Sequence, residues 1–226
     1  MTDYIYLDIE TVSTQDEAVR DEIAATVRPP ASMSKAETIA KWEADQKASA
    51  VADAVAKTAL DGGYGHVVCI GWAIGEGRAQ SDVIRDVADE AFLLAGIFDV
   101  ITSERSFTGR TVIVGHNVAE FDLRFLWQRA CVLGVPVPPW FPRDPKPWSD
   151  DIHDTMAMWA GRNGRIGLHR LAKIFGAGGK LSDMTGADVG RVWAGGDLDR
   201  IAAYCRQDVE ITRAVHRKML VAMGAA

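Results

Sequence analysis

The strongest structural signal in the chain is the segment Tyr4-Ile5-Tyr6-Leu7-Asp8-Ile9-Glu10-Thr11. Side chains of a strand alternate between two faces, so the isoleucines and the leucine point to one side, and Asp8 and Glu10 to the other. Two neighbouring carboxylates on an apolar strand are costly to bury unless they share a proton or bind a cation. An isolated Asp-x-Glu at a strand end is also compatible with two solvated acids. The segment therefore predicts a core strand with a candidate metal site, provided that further carboxylates join it.

Length and composition predict a soluble globular protein of one domain, or of one domain with a sizeable insertion. The chain has 226 residues, of which 48% are hydrophobic and 25% charged, and a net charge of −6. This charge predicts no general attraction to nucleic acid or anionic membranes, although bound divalent ions can supply positive charge for a phosphate substrate. Cys69, Cys131 and Cys205 are widely spaced, which argues against a disulfide framework. With no signal peptide or membrane-length apolar run, we expect a cytoplasmic protein.

Residues at about 13–60 predict a helical insertion after the first strand. Ser13 or Thr14 is a suitable cap for a first helix, and Pro29-Pro30 stops it. A second helix is predicted after Ser34, running to about Lys57. The insertion is interpreted either as a lid at the mouth of the site or as a solvated helical decoration.

The remaining chain predicts the further strands and helices of a single domain over residues 1–226. Apolar and β-branched runs predict further strands at His66–Ile74, Ser81–Arg85 and Thr111–Gly115. Helical patterns predict helices over Asp89–Ser103, after an Asn117 cap, from Asp154, and over Leu198–Met219. Strands followed by helices, with one strand–helix crossover, indicate an α/β or α+β sheet domain.

Two later segments supply further carboxylates. Asp122 is predicted one turn into the helix that follows the Thr111–Gly115 strand, and Tyr204 and Asp208 share one face of the last helix. Taken alone, Asp122 also suits a helix-dipole partner, and Asp208 a solvated acid. Taken together with Asp8 and Glu10, they form a set of four oxygen donors suited to hard divalent cations. Two such ions about 4 Å apart can stabilise both the attacking and the leaving oxygen in phosphoryl transfer.

The three motifs, in this order, resemble those of the DEDDy branch of the DnaQ-like 3′–5′ exonucleases. The resemblance implies their ribonuclease H-like α/β fold, a central mixed β-sheet flanked by helices, here with a helical insertion after the first strand. The matching segments are Asp8-Ile9-Glu10-Thr11, then Asn117 followed by Phe121-Asp122, and then Tyr204 followed by Asp208. The sister branch requires a histidine where this chain has Ala203. Within the family the chain is most similar to stand-alone proteins related to the exonuclease domain of family B DNA polymerases. The resemblance covers essentially the whole chain apart from residues 13–60.

The resemblance implies two divalent ions, Mg²⁺ with Mn²⁺ able to substitute, and a role for each matching residue. Asp8 would bridge both ions, Glu10 and Asp208 would complete the first ion's site, and Asp122 would hold the second ion partly through water. Tyr204 would position the attacking water. The implied activity is release of nucleoside monophosphates from 3′ ends of single-stranded nucleic acid, with DNA preferred. The alternatives are an exoribonuclease or oligoribonuclease of the same fold and a non-catalytic nucleic-acid-binding module.

Further residues are candidates for contacts to the nucleic acid. Thr11, Asn117 and Phe121 belong to the motifs themselves. Between residues 155 and 182 the chain has no acidic residue, and the five basic ones are Arg162, Arg165, Arg170, Lys173 and Lys180. Of these, Arg165 and Arg170 are predicted to bind backbone phosphates, the alternative being a solvated helix face. Trp148 is a further candidate for stacking on a terminal base.

Overall fold

A computed structural model describes residues 2–105, 110–144, 149–161, 163–177 and 183–225. Within these ranges one five-stranded sheet has the order β3-β2-β1-β4-β5. Its strands are β1 (Thr2–Val12), β2 (His66–Ile74), β3 (Gln80–Val83), β4 (Arg110–Gly115) and β5 (Ile152–Asp154). β1 is central, antiparallel to β2 and parallel to β4, so the predicted mixed sheet is confirmed.

Helices cover both faces of this sheet. They are α1 (Glu17–Thr26), α2 (Ala36–Asp45), α3 (Lys47–Lys57), α4 (Glu90–Glu104), α5 (Asp122–Leu133), α6 (Thr155–Ala160), α7 (Leu168–Phe175), α8 (Val189–Ala194) and α9 (Leu198–Ala222). No helix of the described residues is both long enough and apolar enough to cross a membrane. β5 was not expected from the sequence, because three residues are too short to show an alternating pattern.

The alternation of β1 places its two faces in different surroundings. Ile5, Leu7 and Ile9 are buried in the main hydrophobic core, together with apolar side chains of α4 and α5. On the opposite face, Tyr6 is buried in a cluster that includes Val209 of α9. The face that carries Asp8 and Glu10 is therefore covered by the longest helix of the described chain, as the two-sided pattern of the sequence predicts.

The two central parallel strands end at different points. The pairing of β1 with β4 runs to Tyr6 opposite Val114, and β4 ends at Gly115, whereas β1 continues to Val12. A bulge interrupts the pairing of β1 with β2 immediately after Glu10. The carboxylates of β1 thus lie at the carboxyl edge of the parallel pair, where ligands of open α/β sheets collect.

The segment between β1 and β2 is helical as predicted, but its boundaries differ. Asp16, rather than Ser13 or Thr14, caps α1, because its side chain accepts the Ala18 N–H at 2.8 Å. The predicted second helix is divided at Gln46, whose φ of −124° and ψ of −22° interrupt the helical path between α2 and α3. The positions of these helix ends depend on backbone angles, which the spacing of apolar residues does not predict.

Candidate active site

The four predicted carboxylates come from three elements and line one cavity at the carboxyl edge of β1. Asp8 and Glu10 project from β1, Asp122 from the start of α5, and Asp208 from the middle of α9. The cavity has a volume of about 570 Å³, within the range of pockets that hold small molecules. Tyr204 also lines it, so the structure brings together all five residues that were predicted to form the centre.

Asp122 is fixed to the central strand by a direct hydrogen bond. The backbone N–H of Ile9 donates to Asp122 Oδ1 at 3.1 Å. Asp122 is the first residue of α5, not one turn into it as the sequence predicted. The helix begins later because the preceding residues form a separate turn, in which the N–H of Phe121 donates to the carbonyl oxygen of Asn117.

Asn117 does not cap α5, in contrast to the prediction. Its φ of +65° lies in the left-handed region, which non-glycine residues rarely adopt, although asparagine is the most tolerant of them. Its N–H donates to Asp154 Oδ1 at 3.0 Å, while its own Oδ1 is buried without a hydrogen-bond partner within the described chain. The backbone of Asn117 therefore determines the turn of the loop between β4 and α5.

Asp154 organises this loop from the neighbouring strand. It caps α6 by accepting the N–H groups of Met156 and Ala157, and it also accepts those of Asn117 and Ala119. The sequence predicts a helix from Asp154, and in the structure this residue is the N-cap of α6. In the structure its carboxylate is fully used as a cap for α6 and as an anchor for the loop that leads to Asp122.

Tyr204 and Asp208 lie one turn apart on α9, and a residue that the sequence did not single out joins them. His169 of α7 is hydrogen-bonded through Nε2 to Asp208 Oδ1 at 3.0 Å. Its ring also packs edge-on against Tyr204, with ring centroids 6.3 Å apart. Burial, followed by repulsion from Asp208, raises the pKa of Tyr204 far above its ordinary value, so its hydroxyl remains protonated. Tyr204 is thus a hydrogen-bonding group and not a base.

The carboxylates of the site differ from a buried carboxylate elsewhere in the fold. Burial would raise the pKa of Glu90, but hydrogen bonds from His66 and Arg129 outweigh it and lower that pKa; the Arg129 contact is 2.7 Å. Within the described part of the chain, Asp8, Glu10 and Asp122 form no ion pair with lysine or arginine. A cluster of this kind is stable only if it takes up protons or a cation.

The electrostatics of the cluster fit a bound cation. Burial, and then repulsion from Glu10, raises the pKa of Asp8 well above its ordinary range. Burial and repulsion from Asp208 do the same for Glu10, and burial raises the pKa of Asp122 to about 7. Divalent cations relieve such repulsion, and carboxylate oxygens are the ligands that Mg²⁺ and Mn²⁺ prefer. The donor set therefore fits the metal ions that the resemblance implies.

Cys205 supports Asp8 from α9 and was also missed by the sequence. Its Sγ lies 3.3 Å from Asp8 Oδ2, and one potential ligand atom each from Asp8, Glu10 and Cys205 lie within 4.8 Å of one another. Burial raises the pKa of Cys205, so the thiol is the hydrogen-bond donor in this contact. Gly71, opposite Asp8 on β2, leaves the necessary space, because a Cβ there would lie 2.8 Å from this sulfur.

The predicted substrate-contact residues lie in different surroundings. Thr11 and Phe121 line the cavity, but the Thr11 hydroxyl donates to the carbonyl oxygen of Ala59 at 2.6 Å. Arg165 is paired with Glu120 at 2.8 Å, and Arg170 is exposed on α7; neither is among the described residues that line the cavity. Three earlier candidates, Trp148, Arg162 and Lys180, lie outside the described residues.

A family comparison agrees with this geometry. The sequence model of a family described as "Predicted 3'-5' exonuclease related to the exonuclease domain of PolB" matches residues 64–225, more than half of the chain. The chain belongs to this family. The match includes the motifs around Asp122 and Asp208, whereas Asp8 and Glu10 of β1 lie before it. No curated protein sequence matches the chain.

A comparison of folds extends the likeness to nearly the whole chain. The family B DNA polymerase from the hyperthermophilic archaeon Pyrobaculum calidifontis matches with a TM-score of 0.60 and 19% sequence identity. The match covers 96% of this chain and 24% of the polymerase chain, so the chain spans about a quarter of that protein. The five-stranded mixed sheet with flanking helices is accordingly the ribonuclease H-like fold of the polymerase exonuclease domain, as predicted.

Proposed function

We propose that this member of the family is a metal-dependent exonuclease of the DEDDy type, which removes nucleoside monophosphates from 3′ ends of single-stranded DNA. We further propose that residues 1–226 act as one exonuclease domain with the helical segment 13–60 as an insertion. The observation that carries the proposal is the convergence of four carboxylates and Tyr204 on one cavity. A non-catalytic binding module would have no physical reason to retain mutually repelling, buried acids without a cationic partner.

Each residue has a role in this proposal. Asp8 would hold both metal ions, Glu10 and Asp208 would hold the first, and Asp122 would hold the second. When bound, the ions lower the pKa of a water and offset the charge that develops on the phosphate. Tyr204, kept protonated, orients that water through its hydroxyl. His169 holds one oxygen of Asp208 at 3.0 Å, so that the carboxylate keeps a fixed direction towards the cavity.

The phosphodiester of the substrate must enter a cavity whose ionisable side chains are mostly acidic. Two bound divalent ions would offset the charge of the four carboxylates, so that a chain of net charge −6 can bind a polyanion. The 2′ position of the sugar decides between DNA and RNA. We propose DNA as the preferred polymer, and RNA 3′ ends are the alternative that a matched oligonucleotide tests.

The test is degradation of a single-stranded DNA oligonucleotide labelled at its 5′ end, with Mg²⁺, with Mn²⁺ and with chelator. We expect a ladder that shortens from the 3′ end, disappears with chelator, and disappears in Asp208→Ala. The matched control is Asp199→Ala, since Asp199 is an exposed acid on the same helix. A matched RNA oligonucleotide ranks the two polymers. Degradation that persists in Asp208→Ala, or no degradation of either polymer with metal, contradicts the proposal.

A further inference from the structure

The end of the helical insertion returns to the cavity and forms one of its walls. After α3 ends at Lys57, a 3₁₀ turn follows at Thr58–Leu60. Ala56, Lys57, Ala59 and Leu60 line the same cavity as the four carboxylates. These four residues, called here the insertion wall, lie before the region that the family model matches. The insertion therefore adds to the site a surface of its own.

The insertion wall is attached firmly to β1 and to the segment that follows it. The Thr11 hydroxyl donates to the carbonyl oxygen of Ala59 at 2.6 Å, and the N–H of Thr14 donates to Thr58 Oγ1 at 2.8 Å. Gly65 allows a close approach at the same point, since a Cβ there would lie 2.3 Å from the carbonyl oxygen of Thr58. These contacts are built around backbone atoms, so the wall keeps its position relative to Asp8 and Glu10.

Lys57 gives this wall its charge. It is the one lysine or arginine among the described residues that line the cavity, and its side chain is exposed. The other acidic or basic side chains on the described cavity lining are the four carboxylates, His116 and Tyr204. A cation at the rim, near the acids but not paired with them, is suited to a backbone phosphate that enters beside the metal ions.

Leu60 gives the wall an apolar surface. Its side chain is 70% exposed, although it is large and apolar. A single exposed leucine is ordinary on a protein surface, but Leu60 lies on the cavity lining that also includes Phe121. Together with Ala56 and Ala59, it offers no side-chain donor or acceptor to the edge of a base. A nucleobase can contact such a surface with its face, whatever its identity.

We propose that the insertion wall binds the last nucleotides of a single strand, with Lys57 on a backbone phosphate and Leu60 against the face of a terminal base. This rests on the proposed function and adds a specificity to it. Since the wall reads no base edge, trimming proceeds at similar rates through all four bases. The insertion thus binds the 3′ end without base preference, beside the carboxylates proposed to bind metal.

Binding can be measured separately from hydrolysis. In the Asp208→Ala background, a fluorescently labelled single-stranded DNA is titrated with protein over a series of salt concentrations. Lys57→Ala is expected to weaken binding on the order of tenfold. It also reduces the slope of log K against log salt by about 0.7, the value of one phosphate contact on a single strand. Leu60→Ala is expected to weaken binding about fivefold with the slope unchanged, as loss of an apolar contact predicts.

Exposed residues away from the cavity provide the controls. Lys41→Ala, on α2 of the same insertion, and Phe92→Ala, an apolar residue 82% exposed on α4, should leave both affinity and slope unchanged. In the otherwise wild-type enzyme, Lys57→Ala and Leu60→Ala should raise KM and change kcat less than twofold.

The outcomes separate this inference from the proposed function. If the enzyme is active and both Lys57→Ala and Leu60→Ala bind and cleave like wild type, the proposed role of the insertion wall is wrong and the proposed exonuclease activity stands. A wild-type protein that cleaves nothing overturns the exonuclease, whatever the binding data. An equal change in the salt slope of binding in Lys57→Ala and Lys41→Ala would also contradict the proposed role of the insertion wall, because it would show a general effect of charge.

Discussion

Two histidines and a tyrosine form a buried hydrogen-bonded chain on the α9 side of the sheet. His216 Nδ1 lies 3.1 Å from the Tyr6 hydroxyl, and its Nε2 lies 2.8 Å from His153 Nδ1. The ring of Tyr4 packs edge-on against His216 as well. Burial, together with the neighbouring His153, lowers the pKa of His216 to about 4. The imidazole is therefore neutral in the folded protein at physiological pH.

This lowered pKa predicts a loss of stability in mild acid. An unfolded histidine titrates near pH 6.5, so between that pH and about 4 the unfolded chain binds a proton that folded His216 does not. The stability is intact above this window and falls as pH drops through it, by about 2 kcal/mol at pH 5. Urea unfolding of wild type and His216→Asn at pH 7.5 and pH 5 measures the effect.

The comparison between the two proteins removes the contribution of titrating groups that do not contact His216, such as the carboxylates of the cavity. The wild type should lose about 2 kcal/mol more than His216→Asn between the two pH values. Equal losses in both proteins would show that His216 binds its proton equally well when folded.

The position of α9 against β1 and β2 determines where Tyr204 and Asp208 lie. Gly71 is the point of closest approach: an added Cβ would lie 2.8 Å from Cys205 Sγ and 3.1 Å from Val209 Cγ2. Both neighbours are buried, and the Cys205 carbonyl oxygen, 3.2 Å away, belongs to the helix backbone. A side chain at this position of β2 must therefore displace α9 or the sheet.

Gly71→Ala is expected to reduce activity more than its effect on stability suggests. Overpacking of this size costs about 1–3 kcal/mol, and the displaced helix carries Tyr204 and Asp208 away from Asp8. Thermal unfolding and single-turnover rates measure the two effects on the same sample. In Gly71→Ala with Cys205→Ala, the loss of the sulfur should restore part of the stability. A fully active Gly71→Ala would contradict this account of how α9 is positioned.

The sequence predicted the elements whose pattern is local. The alternation of β1 and the apolar face of the last helix predicted these elements, and the resemblance of the three motifs to a known family added the mixed sheet and the five central residues. Asn117 was misinterpreted because its left-handed φ, not its side chain, shapes the loop before α5. Cys205 and His169 were missed because their roles arise from contacts with Asp8, 197 positions away, and with Asp208, 39 positions away. No periodicity encodes such proximities.

Metal binding should dominate the stability of the whole molecule, because the fold encloses four carboxylates that repel one another. In chelator, Asp122→Asn is expected to be more stable than wild type, since one buried charge is removed. In saturating Mn²⁺ the order should reverse; at one hundred times Kd a bound ligand stabilises by about 2.7 kcal/mol. Melting temperatures with EDTA and with a Mn²⁺ series measure this difference.

The matched control for Asp122→Asn is Asp150→Asn, because the side chain of Asp150 is 93% exposed. This variant should have the wild-type response to Mn²⁺. If Asp122→Asn and wild type gained the same melting temperature from Mn²⁺, Asp122 would not contribute to metal binding.

The most direct test of the account is the location of the metal ions themselves. Crystals of the protein grown with Mn²⁺ and a deoxynucleoside monophosphate would be measured at a wavelength where manganese scatters anomalously. We expect two peaks in the cavity, one in contact with Asp8, Glu10 and Asp208, and the other with Asp8 and Asp122. The nucleotide phosphate should contact both. A cavity with the nucleotide but without manganese at Asp8, or with a single ion distant from Asp122, would contradict the two-metal exonuclease.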